Sequence, residues 1–168
     1  MKQIQKLKGK FLFALAFATL AGCSTVSRID SPNPGTSMEL RGYGQLSLPA
    51  EVRLRSKATG QHLYRATSQD GKSLYGVLPL HVNGGTMAGS ILFFAPALFI
   101  GGFRDAFPFY QVDPEHGQLR FKIKEGDEWR SHTPSMAESE RARAYFNSVD
   151  RQAMAGERTD KAAAPKAD

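Results

Sequence analysis

The sequence predicts a mainly β protein: a small β-sandwich-like domain with a short hydrophobic helical or hairpin segment and one C-terminal helix. Apolar and polar residues alternate with a period of two in several short segments of the region 37–131, which is typical of strands with one buried face. Turn-forming residues separate these segments. After residue 135 the apolar spacing changes to that of a helix.

Each strand is predicted from its own local pattern. In the segment 50–55 apolar residues alternate with charged ones, so one face of this strand is expected to be buried and the other solvated. Further strands are predicted at 62–67, 74–82 and 119–124. Pro79 removes a backbone donor, so its strand is expected to lie at a sheet edge or to carry a bulge.

Asp70-Gly71 predicts the hairpin turn between two of these strands, because both central positions of a type I′ turn need positive φ. The surrounding stretch Ala66–Ser73 also satisfies the loosest pattern of a phosphate-binding loop. Such a loop must be followed by a helix whose N-terminus faces the phosphates, whereas a β-pattern follows here. We therefore interpret this stretch as a hairpin.

The C-terminal helix is predicted to begin after Ser135, because Ser135 and Glu138 have the spacing of a capping box. An apolar stripe at helical spacing follows, made of Ala142, Tyr145, Phe146, Val149 and Ala153. The stripe is expected to pack against the domain as a helix over 136–154, within the unit 135–155. The segment 156–168 is rich in Ala, Lys and Asp and lacks aromatic residues, which predicts a disordered tail.

Residues 1–22 have the order of a cleaved export signal. A positive start is followed by the apolar run 11–20, which is too short to span a bilayer. Leu20-Ala21-Gly22-Cys23 then resembles the lipobox of bacterial lipoproteins, in which cleavage between Gly22 and Cys23 leaves a lipidated cysteine. An ordinary secretory signal with a chance cysteine and a transmembrane anchor are the alternatives.

The lipobox resemblance implies that Cys23 becomes the mature N-terminus and carries a diacylglycerol and an amide-linked acyl chain, since stable anchoring needs more than one chain. Ser24 follows where an aspartate would indicate retention in the inner membrane, so we expect the outer membrane, with the domain facing the periplasm. Cys23 is the only cysteine, which excludes an intramolecular disulfide. The polar segment 23–36 is expected to be a tether.

The charge balance argues against a nucleic-acid partner. Four of the 22 basic residues precede Cys23, so the mature part carries 18 basic and 16 acidic residues. No dense basic stripe remains apart from Arg120, Lys122 and Lys124, and the electrostatic support for nucleic-acid binding is therefore lost. The 146 residues from Cys23 onward suffice for one domain with a hydrophobic core.

A second unusual segment spans 87–103. Its centre, Ile91–Ile100, is apolar throughout, and Pro96 would kink or split a helix there. Because it is too short for a membrane span, three interpretations stay open: a core element, a hydrophobic hairpin that dips into the lipid-bearing leaflet, or a partner interface. The residues expected to contact the membrane in the second case are Ile91, Leu92, Phe93, Phe94, Leu98, Phe99 and Ile100.

Residues 31–42, followed by 48–54, resemble the start of a PEGA-type β-module. Such modules run from a Pro-Gly turn through a short strand and a glycine to a proline-led strand. The stretch 84–113 is similar to the tail of small envelope lipoproteins that carry this module, marked here by Asp105, Tyr110 and Asp113-Pro114. The resemblance implies a small β-sandwich-like envelope unit with no defined set of catalytic residues.

Candidate chemistry is sparse, and we expect no catalytic residues, no metal site and no cofactor beyond the lipid on Cys23. The four histidines lack the spacing of a local zinc site. Asp113–Gly117 is interpreted as a polar turn rather than a cation site. Arg104 and Asp105 are expected to end the apolar segment and to pair locally. The neighbourhood of Asp105 and His116 is the one weak candidate for catalysis.

Aromatic residues are the remaining indication of recognition. They are Phe103, Phe107, Phe109 and Tyr110 beside Arg104, and Trp129 beside Arg130. The sequence favours a structural or accessory, partner-binding lipoprotein of the cell envelope. A peptidoglycan- or lipopolysaccharide-binding lipoprotein is the alternative, and exposed aromatic rings around a groove would favour it. An envelope enzyme is the third hypothesis, and it requires a pocket that gathers a histidine with acidic groups.

Overall fold

The computed structural model describes residues 24–82 and 104–163, with side-chain surroundings up to residue 156. Within these residues the chain forms eleven strands and one long helix. The strands are β1 Ser24–Asp30, β2 Ser37–Leu40, β3 Gly44–Ser47, β4 Ala50–Arg55, β5 Leu63–Thr67, β6 Ser73–Val77, β7 Leu80–Val82, β8 Arg104–Ala106, β9 Phe109–Asp113, β10 Gln118–Lys122 and β11 Arg130–His132. The helix, α1, is Met136–Ala163.

The strands form two sheets and a short ribbon. Sheet A has the order β11-β10-β9-β1-β4, sheet B has the order β3-β2-β5-β6, and β7 pairs with β8. In sheet A, β1 is antiparallel to β4, with Ser24 opposite Arg55, and parallel to β9, with Arg28 beside Phe109. The other pairs among the described strands are antiparallel.

A hydrophobic core joins the two sheets. Sheet A contributes Ile29, Leu54, Tyr110, Val112 and Leu119, and sheet B contributes Met38, Leu40, Tyr64 and Ala66. The predicted alternation in β4 is confirmed, because Leu54 is buried while Arg53 and Arg55 are exposed. The prediction of a mainly β domain with one C-terminal helix is confirmed.

Helix α1 packs on the side of sheet B that faces away from this core, where Ala142 and Phe146 are buried against Leu63 and Val77. The predicted capping box is present at its start. The backbone N of Ser135 donates to Glu138 Oε2 at 2.8 Å, and the backbone N of Glu138 donates to Ser135 Oγ at 3.3 Å. The layers are therefore helix, sheet B, core and sheet A, and the outer face of sheet A carries exposed residues.

The predicted hairpin is present between β5 and β6, but its turn differs from the prediction. Gly71 has φ +81°, whereas no non-glycine residue of the described part has positive φ, so Asp70 does not adopt a type I′ conformation. Gly71 N donates to the Ser68 carbonyl at 3.0 Å, and Ser68 N donates to the Lys72 carbonyl at 2.9 Å. A turn closed by one left-handed glycine satisfies the connection instead.

Pro79 divides the segment that was expected to be one strand. Strand β6 ends at Val77 in sheet B, and β7 begins at Leu80 and pairs with β8. The prediction of a continuous strand over 74–82 is therefore wrong. The missing amide hydrogen of proline ends the pairing, and the chain leaves sheet B at this residue.

The predicted tether and tail also differ from the structure. Residues 24–30 form the inner strand β1 rather than a tether, and Ile29 is fully buried. The prolines and the glycine that predicted a tether lie instead in the connection 31–36. Helix α1 continues to Ala163, into the tail that was expected to be disordered, because alanine, arginine and glutamate are good helix formers. Gly22, Cys23 and the apolar residues 87–103 lie outside the described residues.

Candidate binding groove

A groove lies on the outer face of sheet A, beside β9 and β10. Its base is a row of cross-strand neighbours, in which Arg28 on β1 pairs with Phe109 on β9, and Phe109 pairs with Lys122 on β10. Directly paired residues project to the same face of a sheet. Arg28 is exposed, and Phe109 and Lys122 are half-buried. The row therefore presents one aromatic ring between two cationic side chains.

Lys122 lies between two aromatic rings. Its Nζ is 4.7 Å from the ring centroid of Trp129 and 5.7 Å from that of Phe109, and it donates a hydrogen bond to the backbone carbonyl of Glu125. The face of an aromatic ring is electron-rich, so these contacts hold the ammonium group in place. Trp129 is 38% exposed, so part of the indole presents apolar surface to solvent.

The connection between β10 and β11 positions Trp129. Lys124 N donates to Asp127 Oδ2 at 2.9 Å, and Asp127 N donates to the Lys124 carbonyl at 3.1 Å. These two hydrogen bonds close a tight turn directly after β10. The chain then returns as β11, and the indole of Trp129 lies over the last residue of β10.

Phe107 and Tyr110 form the floor beneath the groove. Phe107 N donates to Tyr110 Oη at 2.9 Å, and Tyr110 Oη donates to the Pro79 carbonyl at 2.6 Å. Burial raises the pKa of Tyr110, because a phenolate would be poorly solvated there, so the hydroxyl stays a neutral donor. The Phe107 ring also lies 4.4 Å from that of Phe121, centroid to centroid. The floor is therefore tied to the core.

Two adjoining cavities of about 370 Å³ and 170 Å³ make up the groove, and Lys122 and Trp129 line both. The acidic lining residues are Asp30, Glu125, Asp127 and Glu128, and the other basic ones are Arg28 and Arg130. The larger cavity lies within the range of small-molecule sites, which is roughly 300–1,000 Å³. The groove can therefore hold a ligand that carries both charges and an apolar face.

The segment Asp113–Gly117 forms the predicted polar turn. Asp113 Oδ1 accepts hydrogen bonds from the backbone N of Glu115 and of His116, each at 3.2 Å, and from Asn33 Nδ2 at 2.9 Å. His116 Nδ1 lies 2.8 Å from Asp113 Oδ2. Burial alone would raise the pKa of Asp113, but these hydrogen bonds outweigh it and lower the pKa. The Asp113 carboxylate therefore stabilises the turn through these hydrogen bonds.

Asp105 and His116 do not form a joint site. Asp105 is buried on β8 and accepts a hydrogen bond from Ser56 Oγ, whereas His116 is exposed on the turn after β9. Arg104 Nη2 donates to the Gly60 carbonyl at 2.7 Å. Arg104 and Asp105 therefore pair with the connection between β4 and β5, not with neighbours along the chain.

The predicted aromatic cluster is divided between the core and the surface. Phe107 and Tyr110 are buried, and Phe109 faces the groove. Arg104 lies on β8 and does not line the groove. Sequence reasoning noted Trp129 and Lys122 separately but missed their contact. The charged run 124–128 after an alternating strand was the available signal for a loop that folds back over the sheet.

Two broader features concern the described residues alone. In 24–82 and 104–163, no three or more His, Cys, Asp or Glu side chains are arranged to hold a metal ion. In the same part of the chain, no helix combines the length and apolar character that crossing a bilayer requires.

Comparison of the chain with known protein families, with curated proteins and with solved structures gives no significant match.

Proposed function

We propose that the protein is an outer-membrane lipoprotein, anchored through Cys23 and facing the periplasm, with an accessory, partner-binding role in the cell envelope. The positive start, the apolar run and the Leu20–Cys23 motif support the anchor. The resemblance to PEGA-type envelope modules agrees with a role that involves no catalysis. The groove around Lys122 and Trp129 is the proposed binding site.

The contact between Lys122 and Trp129 carries this proposal. An exposed indole beside a fixed ammonium group offers apolar surface and directed charge at the same place, and tryptophan is a frequent anchor of binding surfaces. The cavities on both sides provide room for a ligand. The hydrogen bonds between Lys124 and Asp127 close the turn that leads to Trp129 and so position its indole. A preformed site of this kind reduces the entropic cost of binding.

A glycan is the second candidate ligand, and the two rings in the groove favour it specifically. Trp129 and Phe109 lie on either side of Lys122, and sugar rings bind through their apolar faces to aromatic side chains. The lining has mixed charge. A peptide-bearing glycan such as peptidoglycan carries both carboxylates and amines, whereas the phosphates of lipopolysaccharide would favour a uniformly basic site. The groove chemistry therefore favours peptidoglycan over lipopolysaccharide.

The anchor is tested with Cys23→Ser. Metabolic labelling with a fatty acid should mark the native chain and leave the variant unlabelled and unprocessed. Normal cleavage and membrane association of the variant would refute the anchor.

The groove is tested by crosslinking envelopes that contain the tagged protein and, separately, by sedimentation with purified peptidoglycan. Trp129→Ala and Lys122→Gln should each weaken recovery of the true ligand at least about tenfold, as expected for truncation of an anchor residue. Met136→Ala is the matched control, since Met136 is 79% exposed on α1. Because Trp129 is the only tryptophan, its fluorescence reports occupancy directly.

Binding of peptidoglycan that depends on Trp129 would identify the glycan role. Capture of an envelope protein that depends on Trp129, without sedimentation by peptidoglycan, would identify the accessory role. If neither interaction responds to Trp129→Ala, the groove is not the binding site.

A further inference from the structure

Ser24, Val82 and Arg104 each border a segment outside the described residues, and all three lie at one end of the molecule. Strand pairing connects them: Ser24 with Arg55, Lys57 with Arg104, and Arg104 with Val82. Ser24 directly follows Cys23, and the chain between Val82 and Arg104 contains the apolar run 91–100. We call this end, made of Ser24, Arg53, Arg55, Lys57, Val82 and Arg104, the anchor end.

The anchor end is cationic. Arg53 and Arg55 are exposed, and Lys57 and Arg104 are half-buried. The ion pairs among the described residues involve Arg65, His116 and His132, and none of the four cations of the anchor end. Two carboxylates lie near these cations. Asp105 is buried and accepts a hydrogen bond from Ser56, and the exposed Glu51 lies two residues before Arg53 on β4, opposite Arg28. The surface therefore has a positive charge that the described residues do not neutralise by ion pairing.

Hydrogen bonds from the rest of the fold fix the backbone of this surface. Arg55 N donates to Tyr43 Oη at 2.9 Å, and the Arg55 carbonyl lies 3.1 Å from His62 Nε2. Lys57 N donates to the Arg104 carbonyl at 2.9 Å. Hydrogen bonds therefore hold the backbone that carries these cations. Val82, which is 53% exposed, lies beside them.

We propose that the anchor end is a membrane-facing surface that binds the headgroups of anionic phospholipids. Its position at a membrane rests on the proposed lipid anchor, but its lipid-binding chemistry can be tested without it. Because β1 begins at the residue after Cys23, little chain separates an acylated Cys23 from Arg55. One extended residue spans about 3.5 Å, so the lipid would hold these cations at headgroup level.

A phospholipid surface fits better than a protein partner because the residues of this end border, along the chain, two segments with membrane-compatible sequence. Ser24 directly follows the lipobox cysteine, and the segment between Val82 and Arg104 contains the apolar run 91–100. Each basic residue within about one Debye length of an anionic membrane strengthens binding about fivefold. Four such cations give a measurable affinity even without the acyl chains.

The test uses the chain from residue 23 onward with Cys23→Ser, so that binding cannot come from the lipid. It is sedimented with vesicles of phosphatidylcholine, with and without phosphatidylglycerol. Binding should require phosphatidylglycerol and weaken at high salt. The double variant Arg55→Gln/Lys57→Gln should bind these vesicles about 30-fold more weakly, from the loss of two surface cations.

The matched control is Lys72→Gln/Arg120→Gln, which removes the same charge from the other end of the molecule. Arg120 is opposite Gln111, which is level with Asp30 at the far end of β1, and Lys72 lies in the turn between β5 and β6. This control should keep binding within about twofold, because its charges lie beyond a Debye length from the membrane. Unchanged thermal unfolding of both double variants verifies their fold.

Equal binding to neutral and anionic vesicles would overturn the proposal. Equal losses of vesicle binding in the two double variants would also overturn it, because binding would then depend only on net charge. Binding of an acidic protein without binding of anionic vesicles would also overturn it. Failure of fatty-acid labelling at Cys23 would refute the anchor alone, because the vesicle measurement does not depend on it.

Discussion

Arg65 on β5 binds Asp150 on α1 through two hydrogen bonds, from Nη1 to Oδ2 at 2.6 Å and from Nη2 to Oδ1 at 3.1 Å. Nη2 also lies 2.5 Å from Glu39 Oε2 on β2, and the guanidinium carbon lies 5.3 Å from the ring centroid of Phe146. One side chain therefore links the helix to two neighbouring strands of sheet B.

We expect Asp150→Asn to lower the free energy of unfolding by about 0.5–1 kcal/mol, because the pair is bidentate but the Asp150 side chain is 40% exposed and partly screened. Urea unfolding at neutral pH measures the change. Glu140→Gln, at an exposed carboxylate on the same helix, is the control and should stay within about 0.5 kcal/mol of the native chain. An equal effect of both substitutions would contradict a specific contribution of the pair.

The pair of Arg65 and Asp150 also predicts that the free energy of unfolding depends on pH in the acidic range. The hydrogen bond from Arg65 lowers the pKa of Asp150, so the folded state keeps this carboxylate ionised to a lower pH than the unfolded state does. Its contribution is complete above the unfolded pKa of about 3.9 and is lost as the pH falls through the folded value. The stability difference between the native chain and Asp150→Asn should therefore shrink in acid. A difference that persists at low pH would point to a packing effect.

These contacts show which parts of the molecule local sequence can predict. The strand of Arg65 and the helix of Asp150 were both predicted, since alternation and helical spacing are properties of neighbouring residues. The ion pair between them was not, because 85 residues separate them and only the tertiary packing decides which polar residues meet. The contact between Lys122 and Trp129 was missed for a similar reason: the path of one loop decides which ring covers the lysine.

Burial of His62 predicts a second dependence of stability on pH, in the weakly acidic range. It is almost fully buried, and its Nε2 lies 3.1 Å from the Arg55 carbonyl oxygen. Burial lowers its pKa, the hydrogen bond to Arg55 partly opposes this shift, and the nearby Lys57 charge adds to it. The unfolded chain therefore takes up a proton more readily than the folded one, and stability should fall as the pH drops below the unfolded pKa of about 6.5.

The measurement is urea unfolding at several pH values between neutral and weakly acidic conditions. His62→Gln should be less stable at neutral pH by about 1–3 kcal/mol, because a buried group is changed, and it should lose most of the slope in this range. The native chain, measured over the same pH values, is the reference for the slope. An unchanged slope in His62→Gln would contradict the assignment.

Gly76 on β6 is a position where close packing excludes a side chain. A Cβ atom there would lie 2.8 Å from Pro134 Cγ and 2.9 Å from Tyr64 Oη. Gly76→Ala should lower the free energy of unfolding by about 1–3 kcal/mol, as overpacking does in a close-packed site. Gly126→Ala is the matched control, because a Cβ atom there meets nothing within 4 Å, and its effect should be near zero or slightly stabilising. Thermal unfolding distinguishes the two, and equal melting temperatures would contradict the packing argument.

Ser135 caps the only described helix, and the helix in turn covers Leu63 and Val77. Ser135→Ala removes the oxygen that accepts the 3.3 Å hydrogen bond from Glu138 N, while the bond from Ser135 N to the Glu138 carboxylate remains available. We expect the free energy of unfolding to fall by about 1 kcal/mol. Ser135→Thr keeps both the oxygen that accepts from Glu138 N and the hydroxyl that donates to Glu138 Oε2 at 3.0 Å, so it should recover most of the loss. Ala and Thr variants with equal stability in urea would show that the cap contributes nothing beyond the packing of Ala142 and Phe146.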